Sequence, residues 1–493
     1  MEQKKDQLNP VNLVGSVLKF SIATWVNAVM YLATLILVSY VFADNSSVFG
    51  LYGLFYTASA TIMNVAMLGL DHAYIRFYNE PPKGARNSRQ LAAACMLFSI
   101  GSLFVLSAVM CIALPGQVSA LFFNGDATLT RFVFMMCINA FFLLVTRYFN
   151  ITYRMQMNAK MFAVQSILLN FFSRMFFIVG GLFNPTLDSV IWFSLVGLGV
   201  FAAAFFIMQR KTMLPRRLEI EKQAYSPLLR YGMALMPTNI MAWLNTLFSR
   251  VYVNVVIGAD QLGIFSFMSE ISMALGVLQA GFSTFWSAFI FGNYKTEQRR
   301  IRRVHDYLTF IMLSLMAAMI ALQPVIFMIF GETYRAGMRI FGLMTFAPML
   351  LIISETTVYG ILIAKKTIYD SIGNAISVLG NVGLCVWLVP QYGMVGAAVA
   401  LAVSGLAMFI FRTVVAQRLY KSMDRPLKTA VSIALMAALC VVGYLFADNA
   451  LTVALSALGV LVYYMIVYRA ELKRCFAIAR EVLSSKKGKG KTA

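Results

Sequence analysis

Between Val14 and Phe42 the chain carries a single charged side chain, Lys19, and no proline or polar cluster that would end a helix. About 20 apolar residues already cross the roughly 30 Å of a bilayer's hydrocarbon, so a run this long is more than a soluble core helix needs. The pattern then repeats. Breaking the sequence at polar and charged clusters yields fourteen segments, near 14–42, 48–70, 91–113, 129–150, 161–183, 187–208, 229–257, 262–290, 307–330, 338–363, 367–389, 394–416, 427–447 and 450–468. In lipid every backbone polar group must be satisfied internally, which a lone apolar segment achieves only as a helix. The expected class is an all-α polytopic membrane protein with about 14 transmembrane helices. A hydrophobic fraction of 60%, a mean hydropathy of +0.76 and 12% charged residues exclude an ordinary soluble domain. The first run is too long for the apolar core of a cleaved leader and lacks a small-residue cleavage site, so it reads as a span.

The net charge of +21 raises the question of nucleic acid. Its distribution argues against that. The N-terminus, the segments near 71–90, 147–160, 209–228, 291–306, 364–366 and 417–428, and the tail 469–493 hold 33 of the 41 Lys and Arg residues. The alternate turns, among them the GADQ and PQYG sequences, hold almost none. This alternation is the positive-inside pattern, which places both termini in the cytoplasm and leaves the bilayer as the partner. His72 and His305 lie far apart, in segments read as polar loops, and form no metal site. Cys95, Cys111, Cys137, Cys385 and Cys440 fall in apolar runs without C-x-x-C spacing and read as buried thiols. The polar segments hold no nucleotide-binding glycine motif, paired carboxylates or nucleophile–base set, so a membrane enzyme is not expected.

An internal repeat is visible. Leu18-Lys19-Phe20-Ser21-Ile22-Ala23 resembles Leu229-Arg230-Tyr231-Gly232-Met233-Ala234, and Phe49-Gly50-Leu51-Tyr52 resembles Leu262-Gly263-Ile264-Phe265. Six spans separate the two starts. The expected layout is a six-helix lobe at 1–208, a basic cytoplasmic linker at 209–228, a second six-helix lobe at 229–416, an appended helix pair at 417–468 and a basic tail at 469–493. Transporters use such parallel repeats to build a central site between halves.

Charges inside the spans carry the functional signal. Arg250 and Glu270 flank the GADQ turn, each about ten residues away, which at roughly 1.5 Å per residue sets both some 10 to 15 Å from the same face. An Arg near a span's centre costs about 2.5–3.5 kcal/mol even on the lenient scale, so Arg174 and Arg250 mark a candidate site. Lys19 lies near a cytoplasmic end, where its stem can snorkel. Polar residues recur at helical spacing on span seven (Asn239, Trp243, Thr246, Arg250), span five (Ser166, Asn170, Ser173, Arg174), span eleven (Asp370, Asn374, Ser377, Asn381) and span two (Thr57, Thr61, Asn64, Asp71). Helix-bridging contacts are the plain reading of the uncharged members. The set expected to line a cationic cavity is Arg174, Arg250, Asn170, Asn239, Trp243 and Lys19, with Glu270 and Glu355 as charge or coupling partners. Such a cavity suits a diphosphate, which Arg forks bind through charge-assisted hydrogen bonds. Pro237 removes an internal hydrogen bond from span seven and is the expected hinge.

Residues 228–237 (LLRYGMALMP), the GADQLGIFSF turn and 388–398 (LVPQYGMVGAA) resemble the polysaccharide-transporter branch, the Wzx-type flippases, of the multidrug/oligosaccharidyl-lipid/polysaccharide (MOP) exporter superfamily. The resemblance implies two six-helix lobes around a central cavity, alternating access, and movement of an undecaprenyl-diphosphate-linked oligosaccharide to the outer leaflet of a bacterial cell membrane. It implies no cofactor beyond coupling to a proton or sodium gradient, and a place beside a polysaccharide polymerase and glycosyltransferases. Where relatives carry Asp before the late Arg of span seven, this chain has Ser249, which makes Glu270 the partner of interest. Fourteen spans also fit a lipid II flippase, and the shared fold leaves a multidrug or cation exporter as a further alternative.

Overall fold

The computed structural model describes residues 26–473 apart from 28, 124–125, 127–128, 214 and 216–220. Side chains at 159, 211, 212, 222, 238, 239, 277, 278, 280, 281, 284, 285 and 288 lie outside that description. The long helices are α1 (Val29–Val41), α2 (Ser46–Met67), α3 (Ser88–Ala108, continued by a π-helical turn to Ala113), α4 (Thr130–Met155), α5 (Ala159–Phe183), α6 (Leu187–Met213) and α7 (Lys222–Ile257). They continue as α8 (Ala259–Asn293), α9 (Gln298–Ala321), α10 (Met338–Ile363), α11 (Ile368–Tyr392), α12 (Met394–Leu419), α13 (Pro426–Leu445) and α14 (Ala450–Val467). No strand occurs among the described residues. Twelve of their helices are long and apolar enough to cross a membrane. The two remaining predicted spans correspond to α1, whose predicted start precedes the described residues, and to the 35-residue α8.

Local sequence explains where several helices start. Asn87, Asn158 and Asn449 cap α3, α5 and α14, each side chain accepting the backbone N–H of the residue three ahead. The GADQ and PQYG turns each pass through a glycine, Gly258 at φ 108° and Gly393 at φ 60°, a region that side chains other than glycine's enter at a cost.

Two expectations shift. The basic segment 291–306 is helical from Gln298, so α9 begins about nine residues before the apolar run predicted at 307. Arg and Gln are good helix formers, and a helix leaving the bilayer has no reason to stop at its surface. His305 is therefore not in a loop. It lies fully buried on α9, Nδ1 at 2.6 Å from Thr356 Oγ1 and Nε2 at 3.2 Å from Thr429 Oγ1, joining α9 to α10 and α13. The 209–228 segment is likewise largely helical at its ends, since α6 reaches Met213 and α7 starts at Lys222.

α2 organises the packing, lying against α3 and α4 on one side and α7 and α8 on the other. Its approach to α8 is backbone to backbone. A Cβ on Gly50 would lie 2.5 Å from the Gly263 nitrogen, and one on Gly263 would lie 2.1 Å from the Ser46 carbonyl oxygen. These two glycines occupy matching places in the sequence repeat. α10 plays the corresponding part among the later helices, packing on α8, α9, α12 and α13, while α14 lies on α9 and α13. On the face bearing the Gly258 turn, aromatic rings fill the junction: Phe177 stacks on Phe42 at 4.9 Å and Tyr52 at 4.3 Å, and Phe267 on Tyr334 at 4.3 Å. Polar bonds close the same face, from Tyr334 Oη to Phe42 O at 3.2 Å and Thr333 Oγ1 to Ala43 O at 2.6 Å.

Candidate functional site

Beneath that aromatic junction a cavity of about 270 Å³ opens between α1, α2 and α5 on one side and α7 and α8 on the other. Arg174 of α5 and Arg250 of α7 enter it from opposite sides and meet one carboxylate, Glu270 of α8. Arg174 Nη2 donates to Glu270 Oε2 at 2.9 Å, and Arg250 Nη2 lies 3.6 Å from Oε1. Tyr31 of α1 also donates its hydroxyl to Glu270 Oε2. Arg174 is steadied on its far side, where its Cζ sits 3.5 Å from the centre of the Tyr31 ring and Nη1 donates to Thr34 Oγ1 at 3.4 Å. The ring face supplies a cation–π attraction that replaces some of the water this guanidinium has lost.

Arg250 is the more buried of the two cations, with 3% of its side chain exposed. Its Nη1 donates to the Gly53 carbonyl at 2.7 Å. This contact depends on the missing side chain, because a Cβ on Gly53 would fall 2.8 Å from Nη1. Arg250 Nε is buried with no hydrogen-bond partner among the described residues. An unmet buried donor costs about 1–3 kcal/mol, more when charged, and the cost is relieved by any anion that reaches it. Two guanidinium groups face one carboxylate, so the cluster keeps one net positive charge in a low-dielectric setting. It can attract an anion and offer it forked donors.

Of the other residues singled out from sequence, Asn170 and Trp243 line the same cavity, as does Ser173. The side chain of Asn239 and all of Lys19 lie outside the described residues. Glu355 stands apart on α10, accepting from Gln279 Nε2 at 2.8 Å. Pro237 sits within α7, which runs unbroken through it from Lys222 to Ile257. The stripe on α2 turns inward on its own backbone: Thr57, Thr61 and Asn64 each donate to the carbonyl four residues back. Asn381 of α11 bridges to α7 at Asn245 Oδ1 and Ser249 Oγ, both at 2.8 Å, so Ser249 serves a helix-to-helix network.

Sequence reading passed over Tyr31, Thr34, Tyr52, Tyr56 and Gly53, all of which line or contact the cavity. The spacing was present in Tyr31, Thr34 and Val38 on α1 and in Tyr52 and Tyr56 on α2, but these residues are at home in any apolar span and carry no cost that would single them out.

A solved structure described as the lipid II flippase MurJ in an inward closed conformation superposes with a TM-score of 0.69, at 17% identity over 92% of this chain and 99% of that one. An inward-facing multidrug-resistance MATE transporter of the MOP superfamily gives 0.55, at 13% identity over 85% and 99%. A MOP superfamily transporter from Pyrococcus furiosus, whose binding pocket is described as reversed in polarity, gives 0.53, at 14% identity over 82% and 95%. At these identities the likeness establishes the fold. Among curated proteins none matches the sequence significantly. The family profile described as "Polysaccharide biosynthesis protein" matches residues 45–339, more than half of the 493. The chain therefore belongs to the polysaccharide biosynthesis protein family, built on the fold of the MOP-superfamily transporters.

Proposed function

We propose that this protein is a flippase that carries a lipid-linked oligosaccharide, anchored through undecaprenyl diphosphate, from the cytoplasmic to the outer leaflet for surface polysaccharide synthesis. The observation that carries the reading is the pair Arg174 and Arg250, converging from different helix sets on Glu270 and leaving one uncompensated positive charge inside the membrane. In this reading Glu270 holds the place of the substrate's phosphates while the site is empty. An arriving diphosphate competes for both guanidinium groups, and the exchange loosens the link between α5 and α8. The six-helix lobes on either side, 1–208 and 229–416, then tilt about the α2–α8 contact to expose the cavity to one face and then the other. With both termini cytoplasmic, the aromatic junction closes the outer face. Membership in a polysaccharide biosynthesis family supports a glycan cargo, and the cationic cavity supports a diphosphate on it.

The tyrosines and Trp243 around the cavity would also suit an organic cation, the cargo of a drug exporter. The face of Tyr31, however, already carries Arg174, and the cluster is net positive, so a cationic cargo would enter against repulsion.

The test is transfer of a fluorescent undecaprenyl-diphosphate oligosaccharide between leaflets of proteoliposomes. Arg174→Ala and Arg250→Ala are each expected to slow transfer at least about tenfold, equivalent to roughly 1.4 kcal/mol, with membrane insertion intact. Wild-type rates in both variants would overturn the cationic site. Full transfer by the double swap Arg250→Glu with Glu270→Arg would reduce the cluster to a structural ion pair.

A further inference from the structure

A second cavity, of about 350 Å³, lies wholly among α7, α8, α10, α11 and α12. It differs in chemistry from the arginine cavity. No described residue lining it is charged, and its polar groups are hydroxyls and amides: Asn245, Thr246 and Ser249 on α7, Ser269, Ser272 and Gln279 on α8, and Ser377 on α11. Ser249, Ser269 and Ser272 each donate their proton to the carbonyl four residues back, at 3.2, 2.9 and 2.9 Å. Ser269 and Ser272, their protons spent in this way, offer lone pairs to the chamber, whereas Ser249 Oγ also accepts from Asn381 Nδ2 at 2.8 Å. The amides are half engaged: Gln279 Nε2 donates to Glu355 Oε1 and Asn245 Oδ1 accepts from Asn381 Nδ2, both at 2.8 Å, with Gln279 Oε1 and Asn245 Nδ2 as their remaining acceptor and donor. The remaining wall is apolar, with Phe265, Met344 and Met408 among it. A ligand matching this surface carries many O–H donors, some C–H faces and no charge.

The two cavities share a wall, since Met273 of α8 lines both. Resting on the diphosphate reading above, we propose that the uncharged chamber receives the first neutral sugar of the lipid-linked substrate while Arg174 and Arg250 hold the diphosphate. In such a lipid the sugar is bonded directly to the diphosphate, so its pocket must abut the anion site, as this one does across Met273. The volume falls in the range of small-molecule sites. A bound cation is the competing occupant of an oxygen-lined chamber, but a cation needs its oxygens to converge at about 2.0–2.6 Å. Here the α8 groups from Ser269 to Gln279 are spread along roughly 15 Å of helix.

Gly276 gives a clean way to close the chamber. It lines the cavity, and a Cβ built on it meets nothing within 4 Å, so a larger side chain there grows into open space without striking the backbone. The test measures binding by the purified full chain in nanodiscs of farnesyl diphosphate and of the same lipid diphosphate bearing glucose, galactose or N-acetylglucosamine. Wild type is expected to bind at least one glycosylated form about tenfold more tightly than farnesyl diphosphate. Gly276→Leu should bring that ratio close to one, and Gly276→Ser should keep most of it. The ratio is insensitive to a general loss of folded protein, which would weaken both ligands together. A wild type that binds farnesyl diphosphate but gains nothing from any sugar overturns the chamber proposal alone. One that binds none of them overturns the diphosphate reading. A Gly276→Leu protein that retains the sugar gain, or a chamber whose only ligand is sodium, sinks the assignment.

Discussion

The ionic groups of this protein fall into two kinds of region, and the contrast between them separates structure from function. Asp370 and Arg412 join the neighbouring helices α11 and α12, with Arg412 Nε at 2.7 Å from Oδ1. Asp71 and Arg147, 3.2 Å apart, link the short helix that follows α2 to α4. Each is a pair of one cation and one anion within a single run of six helices, and its charge is closed. The cluster at Glu270 breaks both habits. It sets two cations on one anion, and it draws them from α5 and α7, which lie on either side of the basic 209–228 segment. A closed pair holds neighbouring helices together. On the function proposed above, an open, net-positive cluster between α5, α7 and α8 would bind an anion and register its arrival.

Removing the shared anion should have the largest effect on the fold. Glu270→Ala leaves Arg174 and Arg250 buried without a counter-charge, and losing one partner of a buried pair costs about 3–5 kcal/mol. With about a fifth of the Glu270 and Arg174 side chains exposed, the lower end is expected, roughly 3 kcal/mol, read as a drop in thermal stability in detergent. Adding an isoprenyl diphosphate should recover part of this loss, because the ligand restores the missing anion. If the variant is as stable as wild type and the diphosphate does nothing, the cluster is no different from the closed pairs.

The next test acts on the contact that brings the two helix sets together. A Cβ at Gly263 would lie 2.1 Å from the Ser46 carbonyl, a backbone group that cannot swing aside, so Gly263→Ala forces α2 from α8. Overpacking of this kind costs about 1–3 kcal/mol. Gly101→Ala on α3 is the control, since a Cβ there meets nothing within 4 Å and alanine favours helix. The prediction is loss of stability and of transfer in the first variant and neither in the second. Equal behaviour would show that the α2–α8 approach is not what sets the cluster's geometry.

Gly53→Ala is a smaller change aimed at one guanidinium. The added carbon meets the mobile end of Arg250 at 2.8 Å, so the side chain can move while the fold stays. Stability should change by less than about 1 kcal/mol, and transfer should fall by about tenfold, because a shift of this size misplaces a bidentate donor. Unchanged transfer would place the working charge on Arg174 alone.

These residues also mark how far sequence alone could reach. Apolar runs near twenty residues dictate helices so strongly that the fourteen segments were legible. Arg174, Arg250 and Glu270 stood out because a charge in lipid is costly enough to need a reason. Tyr31 did not stand out. A tyrosine in a span costs little, and its contact with Glu270 joins residues 239 positions apart, which no local spacing can show. The neutral chamber was hidden for a related reason: Ser269 and Ser272 look like any helix serine bonded to its own backbone, and only the packing of α8 on α10 shows the space they face. His305 was misplaced in a loop because four arginines beside it suggested water, whereas its ring turns inward to two threonines.

The smallest effect is expected where charge is already closed. Arg412→Ala removes a cation from Asp370, whose side chain is 24% exposed and can recover part of its hydration. The cost should be about 1–2 kcal/mol, below that of Glu270→Ala, because one partly hydrated carboxylate is left alone where the other change strands two cations. Transfer of the lipid-linked oligosaccharide, measured at a temperature where the variant is fully folded, should stay within about twofold of wild type. The double variant Asp370→Ala with Arg412→Ala should recover most of the lost stability, as expected for a pair whose members serve only each other. On the proposed function, no second substitution of this kind should restore transfer to Arg250→Ala, because the anion it would fail to hold belongs to the substrate. If Arg412→Ala instead abolishes transfer at full stability, the distinction between closed pairs and the open cluster fails, and anion handling must extend to α11 and α12.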